Sequence, residues 1–345
     1  MTTDLINTNF KLDGISYSQK SLVSHFKNNK PYHDFLTSWF DGNDFIIVKT
    51  SGSTGSPKSI RLKKKDMISS ARLTAKFFEL PEGSKVINCL PLEYIAGKMM
   101  LVRSMVMGWD LNFFPISSEP IKKISSVYDF IALTPMQLEK SLDKINYVKT
   151  VIVGGSPVSY DLKEKILKLE SKVYETYGMT ETITHIAARC LSKNEGKFSA
   201  LPGVEFFEFN SCLAINTQHL SFESIKTNDV VTLHSSKQFS WIGRKDFIIN
   251  SGGIKINPEE IETKLVKFFS NRLIISSISD EVLGQKVVLV FEKNIPENYR
   301  DSFVDLNQYE IPKDIFSIDS FPMSNGKNKQ ANYPKKHSKP PKLIY

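Results

Sequence analysis

Between residues 45 and 180, short apolar runs alternate with helix-spaced segments. Phe45-Ile46-Ile47-Val48 reads as a buried strand. Val86-Ile87-Asn88-Cys89-Leu90, Phe130-Ile131-Ala132-Leu133, Val151-Ile152-Val153 and residues 173–176 read as four more. Residues 97–107 predict a buried helix. Thr134-Pro135-Met136-Gln137 opens another, with capping-box spacing and proline at its first position. Leu162, Ile166 and Leu169 share one face of the helix that follows Gly154-Gly155. This order predicts an α/β domain, a mostly parallel sheet flanked by helices. Ligands of such sheets sit beyond the carboxyl ends of the strands.

After about residue 195 the period loosens. Segments 204–215 and 229–242 read as antiparallel strands of a small β subdomain, ending at the polar break Gly243-Arg244-Lys245-Asp246. Beyond it, Asn257-Pro258-Glu259-Glu260 is a second capping box, with Ile261, Leu265, Phe268 and Phe269 as its apolar stripe. Strand-like runs at 273–278 and 287–291 follow. The expected organisation is a large domain over 1–243, a hinge approach at 244–245, a small α+β domain over 246–333 and a basic tail over 334–345.

The chain has 345 residues, 41% hydrophobic and 24% charged, enough to bury two cores. No run approaches the roughly 20 apolar residues of a membrane span. The N-terminus lacks the pattern of a secretory signal, and three scattered cysteines suggest neither a zinc site nor a disulfide framework. The expectation is a cytoplasmic protein. Half of the net charge of +8 lies near the C-terminus, on Lys335, Lys336, Lys339 and Lys342. Arg61, Lys63, Lys64 and Lys65 form a second cluster. Small polyanionic substrates and solvation account for this excess without nucleic acid. A homo-oligomer stays open.

The chemistry concentrates in Thr50-Ser51-Gly52-Ser53-Thr54-Gly55-Ser56-Pro57-Lys58, directly after the first strand. Glycine permits a tight turn and close approach of an anion. Hydroxyls and free amides donate to phosphate oxygens, and Lys58 adds a charge. The Walker A loop, G-x-x-x-x-G-K-[ST], does not fit, because Pro57 stands before the lysine and has no amide to give. The kinase glycine loop fails as well, since its later glycines would fall on Thr54 and Pro57. The segment instead resembles the TSG[ST]TGxPK phosphate loop of the adenylate-forming enzymes: acyl-CoA ligases, luciferases and peptide-synthetase adenylation domains.

Further segments resemble the same family in the same order. Tyr177-Gly178-Met179-Thr180-Glu181-Thr182 is similar to its YGxTE motif. The resemblance implies that Tyr177 stacks on adenine, Thr180 binds the α-phosphate and Glu181 reaches Mg²⁺. Gly154-Gly155-Ser156 resembles the adenine-side glycine loop. Asp229 matches the ribose-binding aspartate, although Asn228 replaces the preceding glycine. Arg244 and Asp246 match the GRxD hinge, with Arg244 on ribose or phosphate and Asp246 as the pivot of a mobile lid domain. Ser251-Gly252-Gly253-Ile254-Lys255 resembles the segment whose glycines admit the pantetheine arm of CoA. Ser324-Asn325-Gly326-Lys327 resembles the NGK segment, which makes Lys327 the expected catalytic lysine between the reacting carboxylate and the α-phosphate. Gln330 stands where the family usually has arginine.

Residues 90–103 and 174–182 are most similar to the o-succinylbenzoate–CoA ligases of menaquinone biosynthesis. Those enzymes carry an arginine at the position of Arg103. Their substrate is an aromatic dicarboxylate, and arginine's fork suits the carboxylate that is not activated. Lys98 is a second candidate anchor. Tyr94 stands on the acyl side, where many relatives have histidine. The resemblance implies an ATP- and CoA-dependent ligase acting through an acyl-adenylate. A ligase for another aromatic or short-chain acid, and a catalytically silent nucleotide-binding homologue, are the alternatives. Family members carry a longer stretch before the phosphate loop, so the N-terminal part is expected to be reduced.

Overall fold

The computed structural model describes residues 5–49, 59–221, 224–321, 323–324 and 327–328. They fall into two units. One is drawn from Met1–Phe209, Leu213–Thr227 and Leu233–Ser240, the other from Asn210–Cys212, Asn228–Thr232 and Trp241–Tyr345.

Among the described residues, the spine of the first unit is an eleven-stranded sheet in the order Asp229–Ser235, Gln238–Arg244, Phe198–Ala200, His185–Cys190, Lys172–Gly178, Val148–Val153, Tyr128–Leu133, Lys85–Asn88, Asp110–Phe113, Lys11–Leu12 and Ile15–Ser16. The segment 229–242, expected in a small β subdomain, thus extends the large sheet instead, Gln238–Arg244 pairing with Phe198–Ala200. From Lys172–Gly178 to Lys11–Leu12 every neighbouring pair is parallel. Outside that stretch, His185–Cys190 and Phe198–Ala200 each pair antiparallel with both neighbours, and Lys11–Leu12 pairs antiparallel with Ile15–Ser16. The α/β expectation therefore holds, with an antiparallel margin on either side. Alternate residues of the parallel strands feed two cores. Val86, Phe130, Ala132 and Ile152 join one, with the helices Lys30–Phe40, Lys64–Phe77 and Ile95–Met107. Ile87, Ile131, Leu133, Val151 and Val153 join the other, with Leu138, Leu162 and Ile166.

The expected helix starts are present. Thr134 accepts from the Gln137 amide while Gln137 reaches back to Thr134, and Pro135 follows the cap. The first strand differs from expectation. Among the described residues, Phe45–Lys49 pairs only with Ser59–Lys63, antiparallel and outside the large sheet. Ile46 and Val48 are buried but Ile47 is 58% exposed, so the run covers one core face rather than lying inside a sheet.

The second unit is α+β. Leu273–Asp280 pairs antiparallel with Gly284–Glu292, which pairs parallel with Asp314–Ile318. Ile275, Leu289 and Phe291 pack with Ile261 and Leu265 of the helix Pro258–Leu265, while Ile274, Val288 and Val290 face Phe316 and Phe321. The second capping box is only half present: Asn257 accepts from the Glu259 amide, and Glu260 turns toward Lys264 instead. No described helix is long and apolar enough to cross a membrane.

Candidate active site

The helix Ile95–Met107 is buried almost all round, as its nearly continuous apolar sequence requires. Its first turn is pressed onto the preceding loop. A Cβ on Gly97 would stand 2.3 Å from the Pro91 carbonyl oxygen, so only glycine fits. Lys98 Nζ donates to the carbonyls of Leu92 and Glu93, the latter at 3.2 Å, and burial pushes its ammonium pKa down. Lys98 thereby ties its own loop. Tyr94, the residue before the helix, is 56% exposed.

Arg103 is different. Its side chain is 1% exposed, yet no carboxylate pairs with it among the described residues. Nη2 donates to Thr184 Oγ1 at 2.9 Å and Nη1 meets the Met100 sulfur, a weak acceptor, at 3.6 Å. Nε is buried with no partner. Burial alone pulls the guanidinium down to about 9, and a guanidinium remains charged at neutral pH even so. A buried cation with unmatched donors is costly unless an anion arrives.

Thr184 hangs from a strained turn. Ile183 has φ 68°, a left-handed value that is unusual for a β-branched residue and costs on the order of 1–3 kcal/mol. The surroundings hold it there. The Ile183 amide donates to the Thr180 carbonyl at 3.0 Å. Thr182 Oγ1 accepts from the Met179 amide at 2.9 Å and donates to the Thr184 carbonyl at 2.7 Å. Gly178 completes the fit, since a Cβ there would lie 2.3 Å from the Thr184 carbonyl oxygen. Thr180 and Glu181 ride on this clamped turn, Glu181 exposed. Behind it, Thr184 Oγ1 lies 3.3 Å from His185 Nδ1, and His185 Nε2 lies 3.2 Å from Thr74 Oγ1, which donates to the Ser70 carbonyl at 3.0 Å. Burial, and then Arg103, hold His185 well below the usual imidazole range. Sequence reasoning missed Thr74, Thr184 and His185. The available signal was a histidine inside the apolar run 183–188, where an imidazole must find partners.

Gly154, Gly155 and Ser156 follow the strand Val148–Val153. A Cβ on Gly154 would meet Thr176 Oγ1 at 2.8 Å, whereas Gly155, at φ 90°, faces open space. Tyr177 is half-buried against Phe198 and Phe239, two rings stacked at 5.3 Å. Thus Arg103, Thr180, Glu181, Tyr177 and the Gly154–Gly155 turn belong to one unit.

Asp229, Arg244, Asp246 and residues 251–255 belong to the other. Asp229 is buried and accepts from the Trp241 indole at 3.3 Å. Arg244 Nε is buried without a partner, and its charge opposes the burial that raises the Glu259 carboxyl. Asn228, which replaces a glycine of the motif, donates to the exposed Asp246 carboxylate at 2.9 Å. Gly252 (φ 58°) and Gly253 (φ 82°) form the two-residue turn between the antiparallel strands Ile249–Ser251 and Ile254–Ile256. Ser251 is half-buried and Lys255 exposed. Lys327 lies on a two-residue strand opposite Ser324. The phosphate-loop residues Thr50, Ser51, Gly52, Ser53, Thr54, Gly55 and Lys58 lie outside the described residues, as does the Lys327 side chain. Among the described residues no three His, Cys, Asp or Glu side chains gather in a metal-binding group.

Comparison with known proteins matches residues 11–205 to the AMP-binding enzyme family. The 2-succinylbenzoate--CoA ligase of Haemophilus influenzae is 24% identical over 272 residues, covering 72% of this chain, which spans 60% of that protein's length. The 2-succinylbenzoate--CoA ligase of Listeria monocytogenes is 25% identical, with 94% of this chain and 76% of the relative covered. Among solved structures, an acyl-CoA synthetase (AMP-forming)/AMP-acid ligase II-like protein from Dyadobacter fermentans is 32% identical, with a TM-score of 0.63 and 91% of this chain and 97% of that one covered. The O-succinylbenzoate Coenzyme A Synthetase of Bacillus subtilis in complex with AMP shares the fold at TM-score 0.68 and 22% identity, over 86% of this chain and 70% of that one. The ordered motifs and a family match over more than half its length agree: the chain belongs to the AMP-binding enzymes.

Proposed function

We propose that this chain is an ATP-dependent carboxylate–CoA ligase that converts o-succinylbenzoate to o-succinylbenzoyl-CoA, a step of menaquinone biosynthesis. The observation that carries the substrate class is Arg103, a buried guanidinium with unmatched donors. A second carboxylate on the acid is the anion that relieves it. The relatives named 2-succinylbenzoate--CoA ligase, and a Bacillus subtilis structure in complex with the acyl-adenylate OSB-AMP, support the choice of acid.

In the first half-reaction a carboxylate oxygen of the acid attacks the α-phosphorus of ATP, and the bond to pyrophosphate breaks. Thr180 donates to the α-phosphate, the loop at 50–58 holds the outer phosphates, and Lys327 offsets the charge that builds between carboxylate and phosphoryl group. Tyr177 and the Gly154–Ser156 turn take the adenine, and Asp229 and Arg244 take the ribose side. In the second half-reaction the CoA sulfur bonds to the acyl carbon, AMP leaves with the bonding electrons, and the thiol proton passes to solvent. The small domain turns about Asp246 between the two, and the Gly252–Gly253 turn gives the pantetheine arm room beside Ser251 and Lys255. Magnesium fits the donor set. A hard cation needs oxygens, and one exposed carboxylate, Glu181, beside a triphosphate suits an ion carried in on the nucleotide. When bound it neutralises phosphate charge. A bystander silent in catalysis would have no use for the unmatched Arg103.

Pyrophosphate release across a panel of carboxylic acids, with and without CoA, tests this reading. Release with o-succinylbenzoate, and CoA thioester formed when CoA is added, is the expected result. Equal or faster turnover of a monocarboxylic analogue would overturn the acid. No release with any acid would overturn the ligase.

A further inference from the structure

The polar chain behind Arg103 has a direction. A guanidinium only donates, so Thr184 Oγ1 accepts from Nη2 and its single hydrogen is free for His185 Nδ1. At the far end the Ser70 carbonyl only accepts, so the Thr74 hydroxyl donates to it and its oxygen is left to accept from His185 Nε2. The two ends together require one tautomer: a neutral imidazole, bare at Nδ1 and protonated at Nε2. Thr74 is fully buried and His185 nearly so. The Phe78 ring meets the imidazole edge to face at 5.8 Å, so water does not substitute readily for either link. A protonated ring would set a second cation beside Arg103 and turn Nδ1 into a donor aimed at Thr184, reversing the chain.

We propose that His185 is a positioning residue for the Arg103 anion site: the Nε2–H imidazole, hung between Thr74 and Thr184, turns the Thr184 hydroxyl so that its lone pair faces Nη2 and the guanidinium is held for a substrate carboxylate. This rests on the ligase reading above. It adds the residue that sets the fork's angle, drawn from a helix and a strand 111 positions apart in the sequence. It also keeps the site at one positive charge, suited to one carboxylate.

Steady-state kinetics with o-succinylbenzoate and with its analogue lacking the second carboxylate test the proposal. His185→Phe removes both links and raises the KM for the dicarboxylate about tenfold, the scale of one hydrogen bond to a charged group, while kcat and the KM for ATP stay within about twofold. His185→Asn keeps an acceptor near the Nδ1 position and recovers most of that loss. The analogue's KM does not change. In a double-mutant cycle, His185→Phe adds nothing once Arg103 is Ala. A ¹⁵N spectrum of the imidazole, which needs no turnover, shows Nδ1 unprotonated and Nε2 protonated. The opposite tautomer, a charged ring, or full additivity with Arg103→Ala would overturn the role of His185. If Arg103→Ala itself fails to separate the dicarboxylate from its analogue, the ligase reading of the acyl site falls instead. Should His185→Phe fail to fold, the spectrum and His185→Asn decide.

Discussion

The turn at 178–185 and the segment at 244–255 both carry family motifs, and they are built on opposite principles. The first is fastened from every side. Gly178 admits the Thr184 carbonyl, Thr182 ties Met179 to Thr184, and Ile183 is held at a positive φ that it would not keep alone. The second is open. Lys245, Asp246, Gly252, Gly253 and Lys255 are exposed, and the Gly-Gly turn carries little but backbone. Rigidity at the turn keeps the Thr180 hydroxyl and the Arg103 fork in place before substrate arrives, which is where preorganisation contributes most to rate and selectivity. An exposed glycine turn and an exposed Asp246 carboxylate suit the proposed hinge, which would have to change its dihedrals. The contrast fits the proposed division between a surface that recognises and a surface that moves.

The largest expected effect bears on the side proposed to move. Lys327→Ala lowers pyrophosphate release about 10³-fold, the upper range for loss of one group that stabilises transition-state charge, with nucleotide affinity little altered. An unchanged release rate would leave the small domain without a chemical role and remove half of the comparison.

Arg103→Met probes the fastened side and gives two opposed readouts. It replaces a buried, unmatched charge by an apolar chain of similar length. Stability therefore rises by about 1–3 kcal/mol, read as a higher Tm, because the desolvation cost disappears. Meanwhile kcat/KM for the dicarboxylate falls about 10²-fold and that for a monocarboxylic analogue does not. A lower Tm would mean that Arg103 serves the fold and not the ligand.

What could be read in the sequence follows from distance along the chain. Motifs such as Tyr177–Gly178 and Thr180–Thr182 are local, so their chemistry is visible without a structure. The parallel strands are visible because residues such as Phe130, Ile131, Ala132 and Leu133 are apolar on both faces. Cap residues such as Thr134 announce themselves within three positions. The acyl site is different. Arg103 meets Thr184 across 81 positions and His185 meets Thr74 across 111, and nothing local predicts either pairing. Ile47 departs from the buried strand expected at 45–48 for the same reason. An apolar run does not say whether a second layer covers it, and here none of the described elements covers that residue. Likewise, Lys98 and Arg103 look equivalent as cations on one helix. Only the fold shows that Leu92 and Glu93 carbonyls hold the first while the second faces no acid among the described residues.

The smallest expected effect tests whether the fastened region is as closed as its contacts imply. His185 is buried and neutral, and its folded-state pKa lies below the value of about 6.5 that the ring has in an unfolded chain. Above pH 6.5 both states carry the same neutral ring, and the associated stability is whole. As pH falls below 6.5 the unfolded chain takes up a proton that the folded chain refuses, so stability is lost toward the folded-state pKa. The slope cannot exceed about 1.4 kcal/mol per pH unit, the limit for one proton. His185→Asn has no titrating group there, and the carboxylates common to both proteins cancel in the difference. Urea unfolding at pH 7, 6 and 5 should therefore show the unmodified chain losing stability faster than His185→Asn. Parallel losses would mean that the imidazole accepts its proton in the folded state, that water or a carboxylate reaches it, and that the turn is no more closed than the hinge.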